Sequence, residues 1–157
     1  MKTFTRKNRS IPIRYNPKSL THKDRKKQYN MINKSRRLYK KGIYYTRKKV
    51  KSFKSKVSSH ILRAKKIFHV NKIGATKELS KRTGCSVSAL SNIIRKGQGA
   101  YYSSGSRPNQ TAHSWGVARL ASAITAGKAA LVDYDIIKTG CRKSGKTRKL
   151  VYKKYNK

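Results

Sequence analysis

Acidic residues are nearly absent. Four of them (Asp24, Glu78, Asp133 and Asp135) face 42 Lys and Arg in 157 residues, a formal net charge of +38. So few carboxylates leave little from which to build a carboxylate-based active site. The unbalanced charge repels itself, and its natural complement is a polyanion: DNA, RNA, an anionic membrane face or an acidic protein surface. Cysteine is scarce as well. Cys85 and Cys141 stand alone with no C-x-x-C, which reads as two reduced, buried thiols, with a disulfide as the alternative. No apolar run approaches the ~18 residues of a membrane span. The start, MKTFTRKNRSIPIRYNPKS, lacks the apolar middle of a signal peptide, although its Arg, Lys and Ser leave a transit peptide open. An intracellular protein, or one inside an assembly made there, is expected.

What the chain does contain is unevenly spread. Residues 73–140 carry nine Lys/Arg and three acids, a net +6 in 68 residues, with helix-period apolar positions and the only Trp. That stretch can bury a core; segments with one positive charge every three residues mostly cannot. The expected fold is all-α: a small helical body with a helix-turn-helix-like pair and extended basic N- and C-terminal arms. The expected division is 1–19 as a basic extended arm, 20–72 as basic amphipathic helices, 73–140 as the helical body and 141–157 as a second basic arm.

In the first arm Pro12 and Pro17 interrupt any period, while the alternation of Ile11, Ile13 and Tyr15 suits a short strand paired with another chain. Leu20 to Lys41 reads as a helix capped by Thr21, with Asp24 three residues on, an apolar stripe of Tyr29, Ile32, Leu38 and Tyr39, and Gly42 as its stop. Residues 42–58 space Tyr44, Tyr45, Val50, Phe53 and Val57 among cations, a pattern that suits base stacking or packing on a neighbouring protein, with simple packing the preferred reading. Ser59 to Val70 forms a short amphipathic helix with Ile61, Leu62, Lys65 and Phe68 on one face. His60 and His69 have no companions at ligand spacing, so no metal is expected.

Two helix signals then sit back to back. Thr76 caps KELSKRT, which stops at Gly84, and Ser86 caps VSALSNIIRK, which stops at Gly97. Leu79, Leu90 and Ile93 would be the shared core of a helix-turn-helix, with Ser80 allowing close approach. The second helix would present Ser86, Ser88, Ser91, Asn92, Arg95 and Lys96 outward. An ordinary αα-corner uses the same glycine and the same apolar spacing, and it is the preferred reading over DNA-reading use.

Residues 97–116 are expected to form a long ordered loop, given Gly97, Gly99, Gly105 and Pro108. No Gly-Lys-Ser/Thr or Gly-x-Ser-x-Gly is present. Ser103, Ser104 and Ser106 have His113 nearby in sequence, but no acid is spaced to orient it, so no catalytic residue is assigned. The loop reads as a docking site, a phosphate site or a purely structural piece. Two helices follow, one from His113 or Ser114 with Trp115, Ala118, Leu120, Ala121 and Ile124 inward, and one over 128–138 with Ala129, Val132, Ile136 and Ile137 buried; a strand over LVDYDII is the alternative. In the second arm Leu150, Val151, Tyr152 and Tyr155 are docking points.

The run GQGAYYSSGSRPNQTAHSWGVARLASAITAGKAALVDYDI resembles an uncharacterised domain of small basic proteins in large double-stranded DNA viruses of algae and amoebae, and in some phages. NKSRRLYKKGIYYTRKKVKSFKSK and RTGCSVSAL are similar to the same family, so the resemblance covers most of Ser35 to Gly140. It implies a viral origin and, with it, a place in the virion; it carries no activity and no catalytic residue.

The expected function is therefore that of a non-enzymatic virion protein, a minor capsid or internal component. Its body would dock on other capsid proteins and its arms would bind acidic surfaces or genome, an anionic membrane face included. The alternatives are a DNA-reading or DNA-compacting protein, a ribosomal-type RNA binder and, last, an enzyme of nucleic acid. The residues expected to meet the polyanion are Arg36, Arg37, Lys40, Lys41, Arg47, Lys48, Lys49, Arg95, Lys96 and Arg107. Tyr101, Tyr102, Arg107, His113 and Trp115 are expected to form the docking loop. No cofactor is expected.

Overall fold

Side-chain caps start most of the longer helices. In the computed structural model, which describes residues 10–157, Thr21, Thr76, Ser86 and Thr111 each accept a hydrogen bond from the backbone N–H three residues on. They open α1 (His22–Tyr39), α3 (Lys77–Thr83), α4 (Val87–Ser103) and α5 (Ala112–Ile124). Between and after them lie α2 (Ser59–Phe68), α6 (Lys128–Val132), α7 (Tyr134–Gly140) and α8 (Lys146–Tyr155). The described residues form an all-α domain of eight helices and no strands, as expected.

One apolar core joins α2 to α8. Phe68, Ile73, Leu79, Leu90, Ile93, Leu120, Ile124, Ile137 and Val151 are all buried in it. Each large aliphatic side chain removed from water contributes about 1.5–3 kcal/mol. Leu79, Leu90 and Ile93 meet across the α3–α4 turn, as the helix-turn-helix spacing predicts. Gly84 takes that turn at φ 81, and Gly145 packs so closely that a Cβ on Gly84 would lie 2.6 Å from its Cα. Ser80 does more than permit approach: its hydroxyl donates to the Cys85 carbonyl at 2.5 Å.

Several expectations change. The structure carries α4 through Gly97 and Gly99 to Ser103, so the expected 97–116 loop shrinks to the link between α4 and α5. Gly97 is not a stop but a crossing point: a Cβ there would sit 2.5 Å from the Cα of Gly116 on α5. Two glycines let the two backbones touch, and α4 and α5 form the central pair. The helix expected over 128–138 is broken into α6 and α7 at Asp133, whose buried carboxylate accepts two 2.7 Å hydrogen bonds from Arg119 and lies 3.7 Å from Lys96. Val132, expected inside, is 68% exposed, and Leu62 on α2 is exposed as well.

The expected C-terminal arm is not an arm. Residues 146–155 form α8, with Val151 buried and Leu150 and Tyr155 packed on the core. Cys85 and Cys141, read as reduced thiols, form a disulfide that ties the α3–α4 turn to the α7–α8 link. Backbone hydrogen bonds from Ser86 N–H to Gly140 and from Arg142 N–H to Gly84 flank it.

The N-terminal layer differs in kind. Residues 1–9 of the expected first arm lie outside the described residues. Residues 12–16 form a turn rather than a strand, and Tyr15 is buried edge-on to Trp115, ring centroids 5.7 Å apart. On α1 the buried face is Gln28, Met31, Ile32 and Ser35; of the expected stripe Ile32 is buried, Leu38 and Tyr39 are half-buried and Tyr29 is exposed. After α1, residues 43–58 run as a strap without helix or strand across α1 and the α4–α5 link.

A candidate nucleic-acid interface

The strap is held by polar side chains. Asn109, at φ 63, accepts from Val50 N–H at 2.7 Å and donates to the carbonyls of Val50 (3.1 Å) and Phe53 (3.0 Å). Asp24 accepts from the N–H and hydroxyl of Ser52, at 2.8 and 2.6 Å. These bonds, the side-chain one first, hold the Asp24 carboxyl below its ordinary pKa of 3.8.

The third anchor is Arg47, expected to face a polyanion. It is buried instead. Its guanidinium donates to Ser35 Oγ (3.1 Å), the Tyr101 carbonyl (2.8 Å) and Ser106 Oγ (2.8 Å), and lies 3.8 Å from the Tyr101 ring centroid. Its backbone N–H donates to the Tyr101 hydroxyl at 3.0 Å. Burial lowers its pKa, a fall opposed by Tyr101. Tyr101, expected in a docking loop, is fully buried for the same reason.

Pinning Arg47 inward leaves its neighbours outward. Lys48, Lys49, Lys51, Lys54 and Lys56 on the strap are exposed, as are Arg37, Lys40 and Lys41 at the end of α1. Arg36 is half-buried, its Nε donating to the Ser104 carbonyl at 2.8 Å. Arg95 and Lys96 are exposed on α4, and Arg107 on the α4–α5 link. Among the described residues the only exposed side-chain carboxylates are Glu78 and Asp135.

An aromatic cluster lies among these cations. Tyr39 on α1 and Tyr102 on α4 are parallel within 9°, centroids 6.3 Å apart. Tyr44 at the start of the strap sits 5.1 Å from Tyr102 and 6.1 Å from Tyr39, yet is 69% exposed. Beside Tyr39 an open cleft is lined by Arg95, Lys96, Gly99, Ser103 and Arg119. The part played by Tyr39 and Asn109 was not read from the sequence, because both depend on chain crossings that no local spacing encodes.

The residues singled out in the expected loop separate. Ser106 is buried, accepting from Arg47 and donating to the Arg107 carbonyl. His113 is exposed on the first turn of α5, beside a second cleft lined by Lys72, Ser91, Arg95 and Gln98. Trp115 is half-buried against Tyr15. His60 on α2 has its pKa lowered by burial, and then by Arg63, Arg107 and Lys154. Among the described residues no three His, Cys, Asp or Glu side chains gather at ligand distance, and no helix is long and apolar enough to cross a membrane.

No curated protein and no solved structure matches the chain. Residues 12–152 match the model of a family described as of unknown function (DUF5824), a span that takes in the N-terminal layer, the strap and most of α8 beyond the expected 73–140 body. The chain belongs to that family.

Proposed function

We propose that this protein is a non-enzymatic nucleic-acid-binding protein that holds DNA through its phosphate backbone. The observation that carries this reading is the one-signed surface: the described Lys and Arg are nearly all exposed, and Glu78 and Asp135 are the exposed side-chain acids among them. Such a surface gains affinity by releasing the counterions condensed on DNA. The strap supports the reading further, since three inward polar anchors set a row of lysines outward at fixed positions.

The exposed face of α4, with Ser88, Asn92, Arg95 and Lys96, is the part of the helix-turn-helix-like pair that would meet the duplex. A virion is one setting for such a protein, and a viral origin remains part of the proposal. Docking on capsid proteins is the less favoured mode, because the C-terminal segment and Tyr101 are both taken up inside the fold.

The test is titration of the full chain with random-sequence duplex at several salt concentrations. Log affinity should fall against log salt with a slope of about −5 to −9, for roughly 6–10 phosphate contacts. A slope near zero, or no binding at low salt, overturns the reading. Fractionation with genome-free shells would move the assignment to capsid docking.

A further inference from the structure

The exposed ring of Tyr44 is not explained by packing. Tyr39 and Tyr102 already close the joint between α1 and α4, and Arg47, Asn109 and Asp24 already hold the strap. Tyr44 nevertheless leans on both tyrosines while leaving most of its surface to solvent, and the adjoining Ile43 is 49% exposed. Exposed Lys40 and Lys41 precede this aromatic surface in the chain, and Arg95, Lys96 and Ser103 line the cleft that opens from Tyr39. The acid near that cleft, Asp133, is buried, bonded to Arg119 and 3.7 Å from Lys96, whose side chain stays half exposed.

We infer that Tyr44, backed by Tyr39 and Tyr102, is a stacking platform for an unpaired base of single-stranded nucleic acid, with the cleft of Arg95, Lys96 and Ser103 taking the adjoining phosphate. An unpaired strand offers in one ligand what this surface asks for, a π-face beside a phosphate. A duplex keeps its bases stacked inside and offers only the phosphate. The inference rests on the nucleic-acid reading above and narrows it to one site and one strand state.

The experiment compares the full chain with Tyr44→Ala and Tyr44→Phe, after circular dichroism has established equal helix content. The probes are a 16-mer of thymidine, the same strand with one central 2-aminopurine, a blunt 16-base-pair duplex, and vesicles of phosphatidylserine with phosphatidylcholine. Tyr44→Ala should weaken single-strand binding about tenfold, leave duplex binding within about twofold, and keep the salt slope, because phosphate contacts are unchanged. Quenching of the 2-aminopurine should be lost with it, and Tyr44→Phe should restore both.

Equal weakening towards strand and duplex, or no effect on either, overturns the platform while the nucleic-acid reading stands. Loss of vesicle binding with strand binding intact overturns it in favour of a membrane contact. Failure of the unmodified chain to bind either oligonucleotide in a salt-dependent way overturns the nucleic-acid reading itself, and the platform with it.

Discussion

Residues 10–58 and the helices from α2 onward are ordered by different forces. The helical part buries a continuous apolar core from Ala64 to Val151. The N-terminal part has Leu20, Met31 and Val50 in a small cluster, with Tyr45 and Phe53 against it, and buries Tyr15 and Ile32 outside that cluster. It is fixed instead by Arg47, Asn109, Asp24 and Gln28, whose Nε2 donates to the Tyr15 carbonyl at 3.1 Å. A segment too charged to make a core of its own can still be ordered when a few polar side chains bond backbone groups, some within the segment and some across to a part that has a core.

The contrast can be broken, and the largest effect is expected on the apolar side. Reducing the Cys85–Cys141 bond, or changing both residues to Ser, frees a loop with a sequence separation of 56. Chain entropy puts the cost at about 4 kcal/mol, seen as a lower urea midpoint for the helices; an unchanged midpoint would show that the packing alone holds the α3–α4 turn.

On the polar side, Arg47→Met keeps bulk and removes the guanidinium. It should cost about 3 kcal/mol of local stability, the scale of a few charge-assisted hydrogen bonds. Amides of residues 43–58 should then exchange about a hundredfold faster while the core amides of α5 hardly change. Equal acceleration in both would mean that the two parts open as one unit. Asn109→Ala should do the same more weakly, about 1–2 kcal/mol, since neutral hydrogen bonds are lost.

The smallest effect is a pH dependence. Asp24 has a folded-state pKa below its ordinary 3.8, so its bonds to Ser52 stabilise the strap above that pH. The contribution fades as pH falls from there through the lower folded value. Exchange near Ser52 should rise in that window in the unmodified protein and not in Asp24→Asn; a rise in both would assign the change to another group.

Much of the helical part was legible in the chain. Thr21, Thr76, Ser86 and Gly84 announce helix ends by local chemistry, and Leu79, Leu90 and Ile93 carry their shared burial in their spacing. Gly97 was misread because a glycine that ends a helix and one that lets two helices touch are the same residue; only Gly116, far along the chain, tells them apart. Leu150, Val151 and Tyr155, expected only as docking points of a cationic arm, pack α8 on the core, and the lysines around them hid that helix. Arg47 had no signal at all. It is one cation in a row of them, and what turns it inward is the meeting of Ser35, Tyr101 and Ser106 from distant parts of the chain. The candidate interface was legible as composition, and its arrangement was not.

The placement of Val151 and Cys141 bears on synthesis. Val151 fills the space among residues that begin at Ala64, and Cys141 must find Cys85. The helices emerging from a ribosome therefore cannot complete their interior until residue 151 has cleared the exit. Until then a strongly cationic nascent chain stays unfinished beside ribosomal RNA.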